Sequence, residues 1–282
     1  MNDKSESRDD FNESEQSDQA ELNRLLLEGL APIQLDSRQH ESLRQGLMTR
    51  VTQSISKRAG LLTVRCKDGV WQTLKAGIRV KQLGSGEEGN SVLIEFAPGS
   101  SLPTHRHNWL EEGIVLRGGL QMGELNLGPL DYHVSPPGSR HATIRSRQGA
   151  LAYLRGTSLG DKSDVLLEML SGLLPPFGNN LSRTVFANQE DAWLEIGVGV
   201  LKKNLWSDDT RMSCFYRLQP GARIPEHTHL LDEECMMLEG EVFLGDLLLR
   251  NGDYHLAPAG TVHGEVYSDV GATLFVRGAR DY

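Results

Sequence analysis

Histidine and glutamate recur twice in one spacing along this 282-residue chain. The first string runs from Gly99 to Gly118 and contains His105, His107 and Glu111; the second runs from Gly221 to Gly240 and contains His227, His229 and Glu233. Both read G-x5-H-x-H-x3-E-x6-G, and each is followed by P-x-G-x-x-H, ending at His141 and His263. Neutral imidazoles with one carboxylate suit a borderline divalent ion such as Zn, Fe, Mn, Ni or Cu, and suit Ca or Mg poorly. Four protein ligands leave about two positions of a six-coordinate ion for water, substrate or dioxygen. Side chains on a strand alternate faces, so His105, His107 and Glu111 share a face while Glu112 points away; the same parity selects Glu233 over Glu234. A lone histidine is usually a packing residue. Eight ligand-type residues at two duplicated spacings point instead to two metal centres.

The elements that must position them come from an internal repeat. A shift of 122 residues lays 71–156 on 193–278 without a gap, with roughly a third of positions identical. Trp71 meets Trp193, Asp131-Tyr132-His133 meets Asp253-Tyr254-His255, and Arg155-Gly156 meets Arg277-Gly278. Each copy reads as short apolar runs ending at glycine, proline or charge, such as SVLIEF before Pro98-Gly99 and MSCFYRL before Pro220-Gly221. This predicts an all-β fold of two similar barrels. Upstream, Leu22, Leu25, Leu26 and Leu30 share one helical stripe, and Leu43, Leu47 and Val51 another, with Asp36 or Ser37 as N-cap. The expected boundaries are 1–60 for an acidic, disordered leader with short helices, 61–160 for the first barrel, 161–183 for a linker that begins as a helix, and 184–282 for the second barrel.

The two strings and the P-x-G-x-x-H segments are similar to the two sequence motifs of the cupin superfamily. That resemblance implies tandem jelly-roll barrels of the double-stranded β-helix type. Within it, LEGEVFLGDLLLRNGDYHLAPAGTVHGE and VSPPGSRHATIRS resemble the cupin domain of ChrR-type anti-sigma factors, whose metal ligands match His227, His229, Glu233 and His263, and again His105, His107, Glu111 and His141. The resemblance implies a regulatory or stress-sensing protein with a divalent metal in each barrel, zinc first and iron, manganese or nickel as alternatives. It also implies a sigma factor as partner through the N-terminal helices. The His-x3-Cys-x2-Cys zinc motif of those anti-sigma domains is missing, because no cysteine precedes Cys66. The same group resembles non-haem iron dioxygenases of small β-diketones and phenolic ketones, so a small-molecule ligand in the barrels is the alternative expectation.

Other residues carry weaker signals. His133 and His255 are expected to be packed or surface strand residues rather than partners that orient a ligand. Cys235 and Met237 share the parity of Glu233 and are expected to line the cavity of the second barrel, the thiol as a small buried apolar group. The net charge of −9 argues against a nucleic-acid surface. Most of that charge sits in residues 1–21, where eight carboxylates face Lys4 and Arg8. The three scattered cysteines form no CxxC pair, and no run approaches the roughly 18 apolar residues of a membrane span. The expected setting is the cytoplasm, with no membrane association, and a homodimer is a further expectation.

Overall fold

A computed structural model describes residues 19–30, 35–57, 59–159, 182–189 and 192–280. The acidic stretch before residue 19 and the linker helix expected within 161–183 lie outside the described residues, apart from 182–183. The chain divides into two compact units, Met1–Ser56 and Lys57–Tyr282, and both copies of the repeat fall in the second.

In the first unit, helices cover 19–29 and Ser37–Lys57. Asp36 caps the longer one: its Oδ1 accepts from the backbone N–H of Arg38 and Gln39 at 2.8 Å, and its own N–H donates to Gln39 Oε1 at 3.0 Å. This is the reciprocal arrangement of a capping box. Leu43, Leu47, Val51 and Ile55 follow at intervals of four and stay 60%, 61%, 40% and 67% exposed, so the stripe is formed but uncovered. Among the described residues, no helix is long and apolar enough to cross a membrane.

In the second unit, each copy folds into a jelly-roll barrel of antiparallel strands. The main sheet of the first copy runs, in hydrogen-bonded order, Arg183–Val185, Tyr132–Ser135, Glu111–Gly118, Ala150–Thr157, Gly89–Phe96, Ile78–Gly86 and Trp71–Lys75. That of the second runs Leu62–Val64, Tyr254–Ala257, Glu233–Leu244, Ala272–Ala279, Arg211–Leu218, Val200–Ser207 and Trp193–Gly197. The outermost strands are exchanged. Leu62–Val64 precedes the first copy yet pairs with the second, in register Thr63 to His255; Arg183–Val185 precedes the second copy yet pairs with the first, in register Thr184 to His133.

Strand parity explains how the barrels pack. On Gly89–Phe96, Val92, Ile94 and Phe96 enter the core of the first barrel, while Leu93 faces a second core with Ile114, Tyr132, Tyr153, Phe215, Met236, Tyr254 and Phe275. That second core draws on both copies and joins their sheets back to back. Strands buried on both faces read as continuous apolar runs, as SVLIEF does. The last glycine of each motif has a steric reason. Gly118 and Gly240 have φ of 75° and 70°, and a Cβ there would lie 2.0 Å and 2.1 Å from the carbonyl oxygens of Gly149 and Gly271.

Candidate metal centres

His105 lies on the short strand His105–Arg106, which pairs with Arg140–His141 so that His105 and His141 are direct partners. Glu111 opens the strand Glu111–Gly118. Between them the chain leaves the strand, which corrects the expectation of one continuous strand carrying all three groups. The His107 N–H donates to Ser139 O at 3.1 Å, and Gly138 N–H donates to His107 O at 2.8 Å, so the Pro-Gly turn holds the bend. The second copy repeats this with His229, Thr261 and Gly260. Parity still separates the adjacent glutamates: Glu111 and Glu233 join the histidines, whereas Glu112 and Glu234 turn to the interface between the barrels.

All eight sequence-predicted residues gather in two clusters. In His105, His107, Glu111 and His141, and again in His227, His229, Glu233 and His263, the candidate ligand atoms lie within 4.8 Å of one another. The rings stand edge-on, with centroids 4.4–5.4 Å apart in the first cluster and 4.3–5.5 Å apart in the second. Backbone acceptors fix several tautomers. His105 Nδ1 donates to Pro103 O at 2.9 Å, and His227 and His229 Nδ1 donate to Pro225 O and Thr261 O at 3.0 Å. Their Nε2 lone pairs are left for a cation.

The clusters fit a divalent metal. His141 Nδ1 is buried without a hydrogen-bond partner. In the second cluster His229 Nε2 and His263 Nδ1 face each other at 3.1 Å, with Glu233 Oε1 3.5 Å and 3.6 Å away. Lone pairs and a carboxylate converging so closely call for a positive charge between them. Burial pushes the imidazoles of His105 and His141 below their ordinary range and that of His263 down to about 3, so these rings are neutral and ready to ligate. Burial works to raise Glu111 and Glu233; positive charge on the neighbouring imidazoles is what outweighs it and holds both carboxyls low, a role that a bound cation takes over where those rings are neutral.

The two surroundings differ. The first cluster touches a cavity of ≈50 Å³, lined by Phe96, Leu102, Leu120, Ile144 and Leu159. The second opens into ≈510 Å³, lined among the described residues by Tyr216, Ile224, Leu230, Leu244 and, beside them, Glu226 and Arg280. Cys235 lies in that wall, where Gly113 stands in the first copy, but outside the ligand cluster; burial raises its thiol, which is a packed apolar group as expected. Met237 is fully buried in the barrel core instead of lining the cavity.

His133 and His255 were expected to be packing or surface residues, and the structure corrects this. Each is buried and aims Nε2 at the Nε2 of a cluster histidine, His133 to His141 at 3.1 Å and His255 to His263 at 3.0 Å. The repeated Asp-Tyr-His triplet was visible in sequence; its meaning depended on the exchanged strands. Asp131 and Asp253 accept the backbone N–H of Ala187 and Cys66, next to those strands, at 2.7 Å. Tyr132 and Tyr254 donate to Glu112 and Glu234.

Residues 59–158 and 181–279 both match the model of the ChrR cupin-like domain. The chain belongs to the ChrR cupin-like domain family. Over 102 residues this ChrR cupin-like chain is 29% identical to the pectin degradation protein KdgF of Dickeya dadantii, covering 33% of this chain and 88% of that protein. Among solved structures, a candidate dioxygenase from Nostoc punctiforme superposes with TM-score 0.59 at 16% identity, covering 78% of this chain and 83% of the other. Bacillus subtilis oxalate decarboxylase, in a study of its Mn(II) centres, gives 0.55 at 17% identity and 78% of both chains. The formate complex of the Lactobacillus farciminis oxalate decarboxylase gives 0.56 at 14% identity, covering 78% and 86%. At these identities the ChrR cupin-like chain shares their fold.

Proposed function

We propose that this protein is a metal-binding, ChrR-like regulator in which metal-loaded barrels accompany an N-terminal helical segment that docks a sigma factor in the cytoplasm. The observation that carries the reading is the uncovered stripe Leu43, Leu47, Val51 and Ile55 on a capped helix, alongside barrels that match the ChrR cupin-like domain. An apolar stripe of this kind is what a partner helix packs against. The full-length protein is expected to retain a sigma factor from its host, and Leu47→Glu with Val51→Glu to abolish that retention while leaving metal content unchanged. Retention of a sigma factor by the doubly substituted protein would refute this docking face.

Both centres are expected to hold metal, zinc first, with iron, manganese or nickel suiting the same donors. When bound, the ion supplies positive charge and Lewis acidity at positions left open by four protein ligands. Protein purified without added ions is expected to carry about two equivalents of a transition metal by elemental analysis. His107→Ala and His229→Ala should each remove one equivalent. Protein that never exceeds a trace of metal would sink the assignment.

The ≈510 Å³ cavity at the second centre favours a further role for that barrel, as the place where a small molecule is sensed or turned over. Its wall is apolar on most sides, with Arg280 and Glu226 as polar groups. A metal-dependent dioxygenase acting on a small diketone or phenolic ketone fits this space, and oxygen uptake by iron-loaded protein tests it.

A further inference from the structure

We infer that Thr63 and Thr184 are positioning residues for the metal centres, each acting through a buried histidine on the centre of the copy it does not precede. This rests on the metal-binding reading and adds groups outside the ligand set. At the second centre, Thr63 Oγ1 lies 2.9 Å from His255 Nδ1, and His255 Nε2 lies 3.0 Å from His263 Nε2. At the first, Thr184 Oγ1 lies 2.8 Å from His133 Nδ1, and His133 Nε2 lies 3.1 Å from His141 Nε2. The two chains of contacts match atom for atom, although the threonines stand 121 residues apart, outside the gapless repeat.

Counting protons gives the chain one direction. His263 turns Nδ1 toward Glu233 and His229, so Nδ1 must present its lone pair to a cation there. A neutral imidazole then carries its hydrogen on Nε2, and His255 Nε2 must accept it. That leaves the hydrogen of His255 on Nδ1, where Thr63 Oγ1 receives it. His141 has the same orientation, with Nδ1 buried without a hydrogen-bond partner, but its one Nε2 hydrogen is shared between His133 and the nearer Ser135 Oγ at 2.6 Å, where the second copy has Ala257. The hydroxyl therefore selects the tautomer of one histidine, which selects the tautomer and ring angle of the ligand.

The exchanged strand is built to deliver that hydroxyl. Beyond Thr63, Arg65 Nη1 reaches Asp253 Oδ2 at 2.8 Å and Cys66 N–H reaches Asp253 Oδ1 at 2.7 Å. The chain then returns to its own barrel, where the buried Lys81 donates to Cys66 O and Asp68 O. Lys203 holds Phe186 O and Gln189 O in the same way after Thr184.

Substitution separates this role from ordinary strand packing. Thr63→Val keeps the branched side chain that strands favour and removes the hydroxyl; Thr63→Ser does the reverse. In the full-length protein, measured by competition with a chromophoric chelator, Thr63→Val is expected to weaken one of two bound metals about tenfold, and Thr63→Ser to stay within about twofold of wild type. The Co(II) absorption of that centre should shift in the Val variant alone. Combined with His229→Ala, which removes the second centre, Thr63→Val should change nothing at the remaining one. Thr184→Val should act in the same direction at the first centre, less strongly because Ser135 also holds His141, and decides the matter if Val at position 63 prevents folding. Equal affinities in wild type and Val, a Ser variant as weak as Val, or an effect of Thr63→Val on the first centre would each overturn the relay and leave metal binding intact. Wild-type protein without metal would overturn both.

Discussion

Replacing Arg277 with methionine is expected to destabilise the double barrel by about 3–5 kcal/mol, the usual consequence of stripping one partner from a buried ion pair. Arg277 Nη1 lies 3.0 Å from Glu112 Oε2, and the two side chains are 3% and 1% exposed. The guanidinium also donates to Ser213 Oγ at 3.2 Å and lies over the Trp206 ring at 4.8 Å. Methionine fills much of the volume but leaves the Glu112 carboxylate with the Tyr132 hydroxyl, 2.7 Å away, and without this cation. Urea unfolding of the metal-free protein measures the loss. A double variant, Glu112→Leu with Arg277→Met, should recover most of it, since no charge is then stranded. A single-variant loss below about 1 kcal/mol would show that the pair is not held charged and dry. The mirror pair, Arg155 Nε to Glu234 Oε1 at 3.0 Å, should cost less to break. Glu234 keeps Tyr254 and Ser91 as donors.

The metal-free protein is also expected to lose stability steeply on mild acidification. Burial lowers His133 and His255 to about 4 and His263 to about 3, against an ordinary value of 6.5. Below pH 6.5 the unfolded chain takes up protons at these positions while the folded chain does not, so stability falls with pH until the folded values are reached. Between pH 6.5 and 4, His133 and His255 each withdraw about 3 kcal/mol, with His263 adding a similar amount. Above pH 7 these groups contribute no pH dependence. The measurement is the denaturant midpoint of chelator-treated protein from pH 8 to 4. A flat profile across that range would mean the three rings are not buried neutral. Bound metal should shift the onset of the loss to lower pH, because a ligating nitrogen resists protonation.

The gathering of the eight residues into two clusters was legible in the sequence because metal chemistry demands particular residue types, and the duplication displayed them twice. Parity separated Glu111 from Glu112 and Glu233 from Glu234 within their own strands, but the break after His107 means the repeated motif, and not an unbroken alternation, put the first of each pair with the histidines. What parity could not reveal is where the second glutamates go, since Arg277 and Arg155 approach them from the opposite copy. His133 and His255 were misjudged for a related reason. Their environment is made by a strand more than 50 residues away in one case and nearly 200 in the other. Thr63-Val64 and Thr184-Val185 fall at an offset of 121 rather than 122, so the gapless comparison passes over them. The difference between a ≈50 Å³ space and a ≈510 Å³ one is set by barrel depth and wall packing, which motif spacing does not encode.

The crossed strands Leu62–Val64 and Arg183–Val185 also decide how this polypeptide can be divided. Cut between its halves, each fragment would carry a strand that has no place in its own sheet and would lack the one that finishes it. A fragment's sheet is then finished only by a second copy that offers the same exchange, which two-fold pairing would satisfy for both at once. The intact chain is thus a self-embracing pair written as a single molecule, its mutual grip made permanent by a peptide tether.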